Sequence, residues 1–290
     1  MATIPFDDRD GFIWYNGKIV PWRDAKVHVL NHGLHYASSV FEGERVYNGK
    51  VFKLNEHSER LKHSAEILGF EIPYSVDEIN QFTNEIVEKQ GIVDGYVRPV
   101  AWMGSDYMKI YAPGNKVHLA IATWVWPAYF AEELYKTGIN LCWADWKRPA
   151  PDTAPTDAKA AGLYMICTMS KRKAEEGGFH DAMMLDYRGY IAEATGANFF
   201  MVVGDELHTP IADCFLDGIT RRTVIGIAKQ NGIKVVERHI KPEELSQGQE
   251  AFLTGTAAEI TPIGSIGEYK FKPGAVTEKL TTAYHALVRA

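Results

Sequence analysis

Two Asn-Gly dipeptides, Asn16-Gly17 and Asn48-Gly49, lie within the apolar segments Phe12–Val20 and Val46–Leu54. Asn-Gly readily takes the positive φ angles of a two-residue turn, so each segment doubles back as a β-hairpin and the chain opens with antiparallel sheet. Helical spacing follows: Leu61, Ala65 and Leu68 share a face over Glu56–Gly69, and Ile79, Phe82 and Ile86 do so over Asp77–Gly91, each stretch ending on a glycine suited to a C-cap. Tyr96–Met103 and Val117–Trp126 are apolar strands that complete a small α+β domain over residues 1–126. Residues 127–138 hold a turn, a short amphipathic piece and a glycine, the makings of a connector. Residues 139–290 then form a second domain. Its expected elements are a helix at Met165–Glu176, strands Ala182–Asp186 and Tyr190–Glu193 about an Arg188-Gly189 turn, a strand at Asn198–Val203 and a helix at Thr220–Gln230.

With 290 residues, 46% hydrophobic and 23% charged, the chain is long and apolar enough to bury two cores. A net charge of -6 disfavours nucleic acid or an acidic membrane as partner, and the basic run Lys171-Arg172-Lys173 is answered by Glu175 and Glu176 on the same helical stretch. Three widely spaced cysteines without a CxxC pair suggest neither a disulfide framework nor a zinc site. The acidic start MATIPFDDRDG lacks the features of a signal peptide, and a cytoplasmic location is expected.

The chemistry is concentrated in PDTAPTDAKAAG, Pro151 to Gly162. An isolated lysine is most often a solvated surface charge. Lys159 differs because Ala158, Ala160, Ala161 and Gly162 leave room for a bulky planar group beside it. A desolvated lysine amine attacks carbonyls and forms Schiff bases, notably with pyridoxal 5'-phosphate (PLP). Phosphate requires clustered donors, and Asp217-Gly218-Ile219-Thr220 at the head of a helix supplies backbone N–H groups and a helix dipole, as Gly255-Thr256-Ala257 does on a smaller scale. PLP chemistry also needs an acid at the pyridine nitrogen; Glu193, among Ala192, Ala194, Gly196 and Ala197, is the candidate. His28, His32 and His35 would share a face only on a helix, which Gly33 weakens, so no metal is expected there.

Together, AKVHVLNHGLHYASSVFEG, YVRP, APDTAPTDAKAAGLY, GYIAEATGAN, GIT and GTAAEITP resemble the branched-chain aminotransferases of the fold type IV PLP enzymes, and the likeness runs over nearly the whole chain. The resemblance implies an α+β fold with a small N-terminal α/β domain, a larger C-terminal domain built on a β-barrel-like sheet, and an active site at the domain and subunit interface. It implies that Lys159 bears the PLP Schiff base and moves the substrate proton, Glu193 pairs with the pyridine nitrogen, Tyr164 bonds the ring hydroxyl, and Leu216 packs on the ring. Arg60, the Ile219 and Thr220 amides and Thr256 would take the phosphate. The substrate's α-carboxylate would go to the Thr256 and Ala257 amides and the Tyr96 hydroxyl, and the distal carboxylate of glutamate to Arg98. Phe41, Trp126, Tyr129 and Tyr164 would line the side-chain pocket, with Tyr36 and Ile110 entering from a second subunit of a homodimer.

Three departures from the family pattern bear on substrate range: Met108-Lys109-Ile110-Tyr111 where MGV is usual, Ala197 where a glutamate is usual, and an added Trp124. The expected reaction is amino transfer between leucine, isoleucine or valine and 2-oxoglutarate. The alternatives are a D-amino acid or (R)-amine transaminase, an aminodeoxychorismate lyase, and a phosphate-binding scaffold with an inert lysine.

Overall fold

The computed structural model describes residues 4–126 and 131–290. The chain divides into two compact units, one of Met1–Pro127 with Ala158–Gly162 and one of Ala128–Asp157 with Leu163–Ala290.

In the first unit, β1 (Phe12–Tyr15) and β2 (Lys18–Pro21) meet through Asn16 and Gly17, whose φ angles are 49° and 85°. A short helix α1 (His32–Tyr36) and strands β3 (Ser39–Phe41), β4 (Glu44–Tyr47) and β5 (Lys50–Val51) follow, the last two joined through Asn48 and Gly49 at φ 51° and 77°. Helices α2 (Leu54–Ile67) and α3 (Val76–Lys89) precede strands β6 (Gly95–Met103) and β7 (Val117–Val125). The sheet is antiparallel in the order β2-β1-β7-β6-β4-β5, with β3 also against β6. Leu61, Ala65, Ile79 and Ile86 from the helices pack on Trp14, Val40, Val46, Val97, Leu119 and Ile121 from the strands. Each fully buried aliphatic side chain in this layer contributes about 1.5–3 kcal/mol.

Helix α1 departs from expectation. Asn31 caps it by accepting the Leu34 N–H at 3.2 Å, and a Cβ on Gly33 would stand 2.9 Å from the Trp102 Cβ. The glycine is there for close packing against Trp102, and the cap outweighs its weak helix propensity.

The second unit runs α4 (Glu132–Thr137), β8 (Ile139–Trp143), α5 (Met165–Glu176), β9 (Asp181–Leu185), β10 (Ile191–Ala194), β11 (Asn198–Val203) and β12 (Glu206–Thr209). It continues with α6 (Ile219–Gln230), β13 (Lys234–Glu237), β14 (Glu250–Gly255), β15 (Glu259–Ile266), β16 (Tyr269–Lys270) and α7 (Ala275–Val288). Strands β10, β9, β8, β15, β14 and β11 form a ring that closes where Glu193 on β10 pairs with Asn198 on β11. Side chains including Ile139, Leu141, Met183, Phe199, Met201, Leu253 and Ile263 make one cluster within this unit. Closure removes the exposed edges an open sheet would carry. Among the described residues no helix is long and apolar enough to cross a membrane.

Candidate active site

In the first unit the lysine segment is held by its backbone. The Lys159 N–H donates to the Ser64 hydroxyl on α2 at 2.9 Å, its carbonyl accepts the Phe41 N–H at 3.2 Å, and Val40 bridges Ala160 in antiparallel sense. Ala158 and Ala160 are buried, while Lys159 itself is half-buried with its Nζ 4.8 Å from the centre of the Phe41 ring. Arg98 approaches the same ring to 4.7 Å and donates to the Tyr96 hydroxyl at 3.1 Å. Tyr96 packs on Trp126 and on Trp124, each with ring centres 5.3 Å away. Lys159, Phe41, Tyr96, Arg98 and Trp126 are thereby brought together. Arg98 Nε is buried and has no hydrogen-bond partner among the described residues, an orphan donor that a carboxylate would satisfy. Gly43 admits this arrangement, because a Cβ there would collide with the Tyr96 hydroxyl.

Arg60, one turn before Ser64 on α2, donates Nε and Nη2 to the two oxygens of Glu42 at 2.7 and 2.8 Å. His57 Nδ1 lies 2.7 Å from Glu42 Oε2 and must be the donor, since a carboxylate only accepts. Burial by itself would raise the Glu42 pKa, yet the charges and hydrogen bonds of Arg60 and His57 hold it well below the usual carboxylate range. The His57 pKa is lowered by burial in spite of Glu42. Glu44 is also fully buried, and neither of its oxygens has a hydrogen-bond partner among the described residues. Burial first, then the charge of Glu42, pushes its pKa well above the ordinary value.

Tyr36 and Ile110 are 45% and 84% exposed, and the elements that carry them are joined by His32, whose Nε2 is 2.9 Å from the Lys109 carbonyl. The three histidines do not converge: His28 accepts the Leu30 N–H, His32 meets Ser38 and Lys109, and His35 meets the Val29 carbonyl. Tyr129 lies outside the described residues.

The second unit holds Glu193 and the turn that opens α6. Glu193 is buried, with the Asn198 amide donating to its Oε2 at 3.0 Å and Arg148 Nε 3.4 Å from its Oε1. The same Asn198 nitrogen donates to the Leu216 carbonyl at 3.0 Å. Helix α6 begins at Ile219 behind Gly218, which has no side chain to cap it, so the leading amides are available to an anion. Buried Arg221 ties this turn down through Asp217 and Glu237, both at 2.7 Å, and the Pro210 carbonyl at 2.9 Å. Thr256 and Ala257 occupy the half-buried turn between β14 and β15, just after Gly255, which packs on Ala197. Tyr164 is half-buried and near enough to act on the charge of Arg148.

Sequence reasoning missed Glu42, His57, Ser64, Arg148 and Asn198. Glu42 and Asn198 stood inside the quoted motifs FEG and GAN, and Ser64 was legible only as one turn beyond Arg60. Arg148 carried no local signal.

The chain belongs to the Amino-transferase class IV family, whose model matches residues 39–266. It is 43% identical over 288 residues to the branched-chain-amino-acid aminotransferase of Pseudomonas aeruginosa, covering 97% of this chain and 94% of the relative. The crystal structure of the Escherichia coli branched-chain amino acid aminotransferase matches with a TM-score of 0.93 at 38% identity, covering 97% of this chain and 95% of the other. The branched-chain amino acid aminotransferase of Thermobaculum terrenum in its PLP form matches with a TM-score of 0.88 at 31% identity, covering 97% of this chain and 95% of the other.

Proposed function

We propose that the protein moves an amino group between L-leucine, L-isoleucine or L-valine and 2-oxoglutarate, using PLP. The observation that carries the reading is the pairing on one aromatic ring of Lys159 and Arg98, the latter with an orphan Nε that a carboxylate would satisfy. The donor set suits the cofactor: an amine for its aldehyde, a buried carboxyl for its ring nitrogen, and a guanidinium and uncapped amides for its phosphate. PLP, when bound, supplies an aldehyde that takes the amino group and a ring that accepts the electrons of the breaking Cα–H bond.

Each residue then has a task. Lys159 Nζ would hold the cofactor's aldehyde group and, as a free amine, would serve as the base that moves the proton at the substrate Cα. Glu193 would keep a proton on the ring nitrogen, Tyr164 would bond the ring hydroxyl, and Leu216 would pack on the ring. Arg60, the Ile219 and Thr220 amides and Thr256 take the phosphate. Tyr96 and the Thr256 and Ala257 amides bind the α-carboxylate, and Arg98 takes the second carboxylate of glutamate. Phe41, Trp126, Tyr129 and Tyr164 exclude water around the aliphatic chain, at about 0.8 kcal/mol per buried CH₂. Exposed Tyr36 and Ile110 of a second copy complete the pocket, so the working form is a homodimer. The three free thiols suit a reducing cytoplasm.

The test is spectroscopic. The purified protein with PLP receives L-leucine, D-alanine or (R)-1-phenylethylamine in separate cuvettes. Loss of the bound cofactor's visible band with L-leucine alone is the expected result. Bleaching mainly by D-alanine or the amine moves the assignment to another transaminase, and absence of the band removes the PLP reading.

A further inference from the structure

We propose that Asn198 is a positioning residue that ties the acid Glu193 to the turn opening α6, so that one side chain sets both ends of the cofactor site. The proposal rests on the PLP reading above.

Asn198 is 5% exposed and stands at the seam of the ring, paired with Glu193 on one side and Thr254 on the other. Its amide nitrogen is 3.0 Å from both Glu193 Oε2 and the Leu216 carbonyl. Both partners can only accept, so the orientation of the amide is dictated by chemistry: the NH₂ spans the two acceptors and the Oδ1 turns away. The Oδ1 lies against Gly218, where any Cβ would collide with it. The residue that caps α6 is therefore a glycine because Asn198 occupies that space. Arg148 lies against the other Glu193 oxygen and bonds Cys167 Sγ, whereas Asn198 reaches both the acid and the α6 turn. A displacement of the turn by a phosphate group then acts on the carboxyl that faces the ring nitrogen, and the reverse holds equally.

Pyridoxamine 5'-phosphate tests this because its binding does not need a covalent link to Lys159. It is titrated against the wild type, Asn198→Ala, Glu193→Gln and the double variant, with the unfolding midpoint of each protein recorded. Asn198→Ala should weaken binding about 10- to 100-fold, the range expected for a hydrogen bond to a charged group. In the Glu193→Gln background the same change should cost about threefold or less, because coupled residues are not additive. The resonance of an ¹⁵N-labelled ring nitrogen should also move toward the unprotonated position in Asn198→Ala, a readout that a purely structural residue would leave in place. Asn198→Ser, which keeps a shorter donor, carries the same comparison if the alanine variant does not fold. Equal losses in both backgrounds, or wild-type affinity in Asn198→Ala, overturn the proposal. Failure of the wild type to bind pyridoxamine 5'-phosphate overturns the cofactor reading instead, and this proposal with it.

Discussion

Replacing Glu42 by Gln keeps the shape of the side chain and removes its charge, and the geometry fixes what is lost. Arg60 makes two short bonds to this carboxylate and His57 a third, with the Glu42 side chain wholly buried and that of Arg60 11% exposed. A carboxamide offers one oxygen to three donors, so its NH₂ must face Arg60 or His57, and the negative charge of Glu42 opposite the guanidinium is lost. Breaking one partner of a buried pair costs about 3–5 kcal/mol. Urea unfolding near pH 7 should therefore place Glu42→Gln below the wild type by about that amount. The gap should also depend on pH. Because the folded pKa of Glu42 is depressed, its contribution is complete above the unfolded value of 4.5 and drains away as pH falls toward the folded value. The variant has no such carboxylate, so the two stabilities converge in acid. A gap below about 1 kcal/mol, which is what an exposed pair gives, or one that stays constant into acid, would refute the reasoning.

Glu44→Gln should act in the opposite sense. The folded pKa of Glu44 is raised, so the wild type loses stability as pH climbs from the ordinary carboxylate range toward that value, and the variant should gain about 1–3 kcal/mol on it by alkaline pH; parallel urea profiles would count against this. Ser64→Ala strands the Lys159 N–H and should cost about 1–3 kcal/mol. The same variant should lower kcat with little change in KM for leucine, and a change confined to KM would place Ser64 outside the positioning of the amine. Gly43→Ala drives a methyl into the Tyr96 hydroxyl and should destabilise by about 1–3 kcal/mol while raising KM for 2-oxoglutarate; unaltered kinetics would mean that Tyr96 has room to give.

The elements that could be read from the sequence are those whose signals are local. Asn-Gly turns specify hairpins through φ alone, and α2, α3 and α6 announce themselves by periodicity and ends. Helix α7 carried a periodic pattern too, with Leu280, Tyr284 and Val288 on the buried side, but without a capping residue to mark it. Strands β12 to β16 were passed over because short apolar runs do not distinguish strand from helix, and ring closure depends on pairing across distant segments. The candidate residues Lys159 and Glu193 were marked by small neighbours. Their supports were not: Ser64 lies 95 positions from Lys159, and Arg148 meets Glu193 only because β8 and β9 run side by side. The assignment of Ala158–Gly162 to the first unit is of the same kind, since it follows from Val40 and Phe41, not from any neighbour in sequence.

Helix α2 acts as a ruler. Arg60 and Ser64 are one turn apart on it, about 6 Å along its axis at the standard rise. One fixes a guanidinium and the other the backbone of Lys159, so their separation is set by helical pitch. A single residue inserted between them would swing Ser64 about 100° around the axis. Substitutions on the exposed face of α2 leave this spacing intact, but a change of length does not. In the history of such chains, length variation should therefore collect in the connections and spare these five positions.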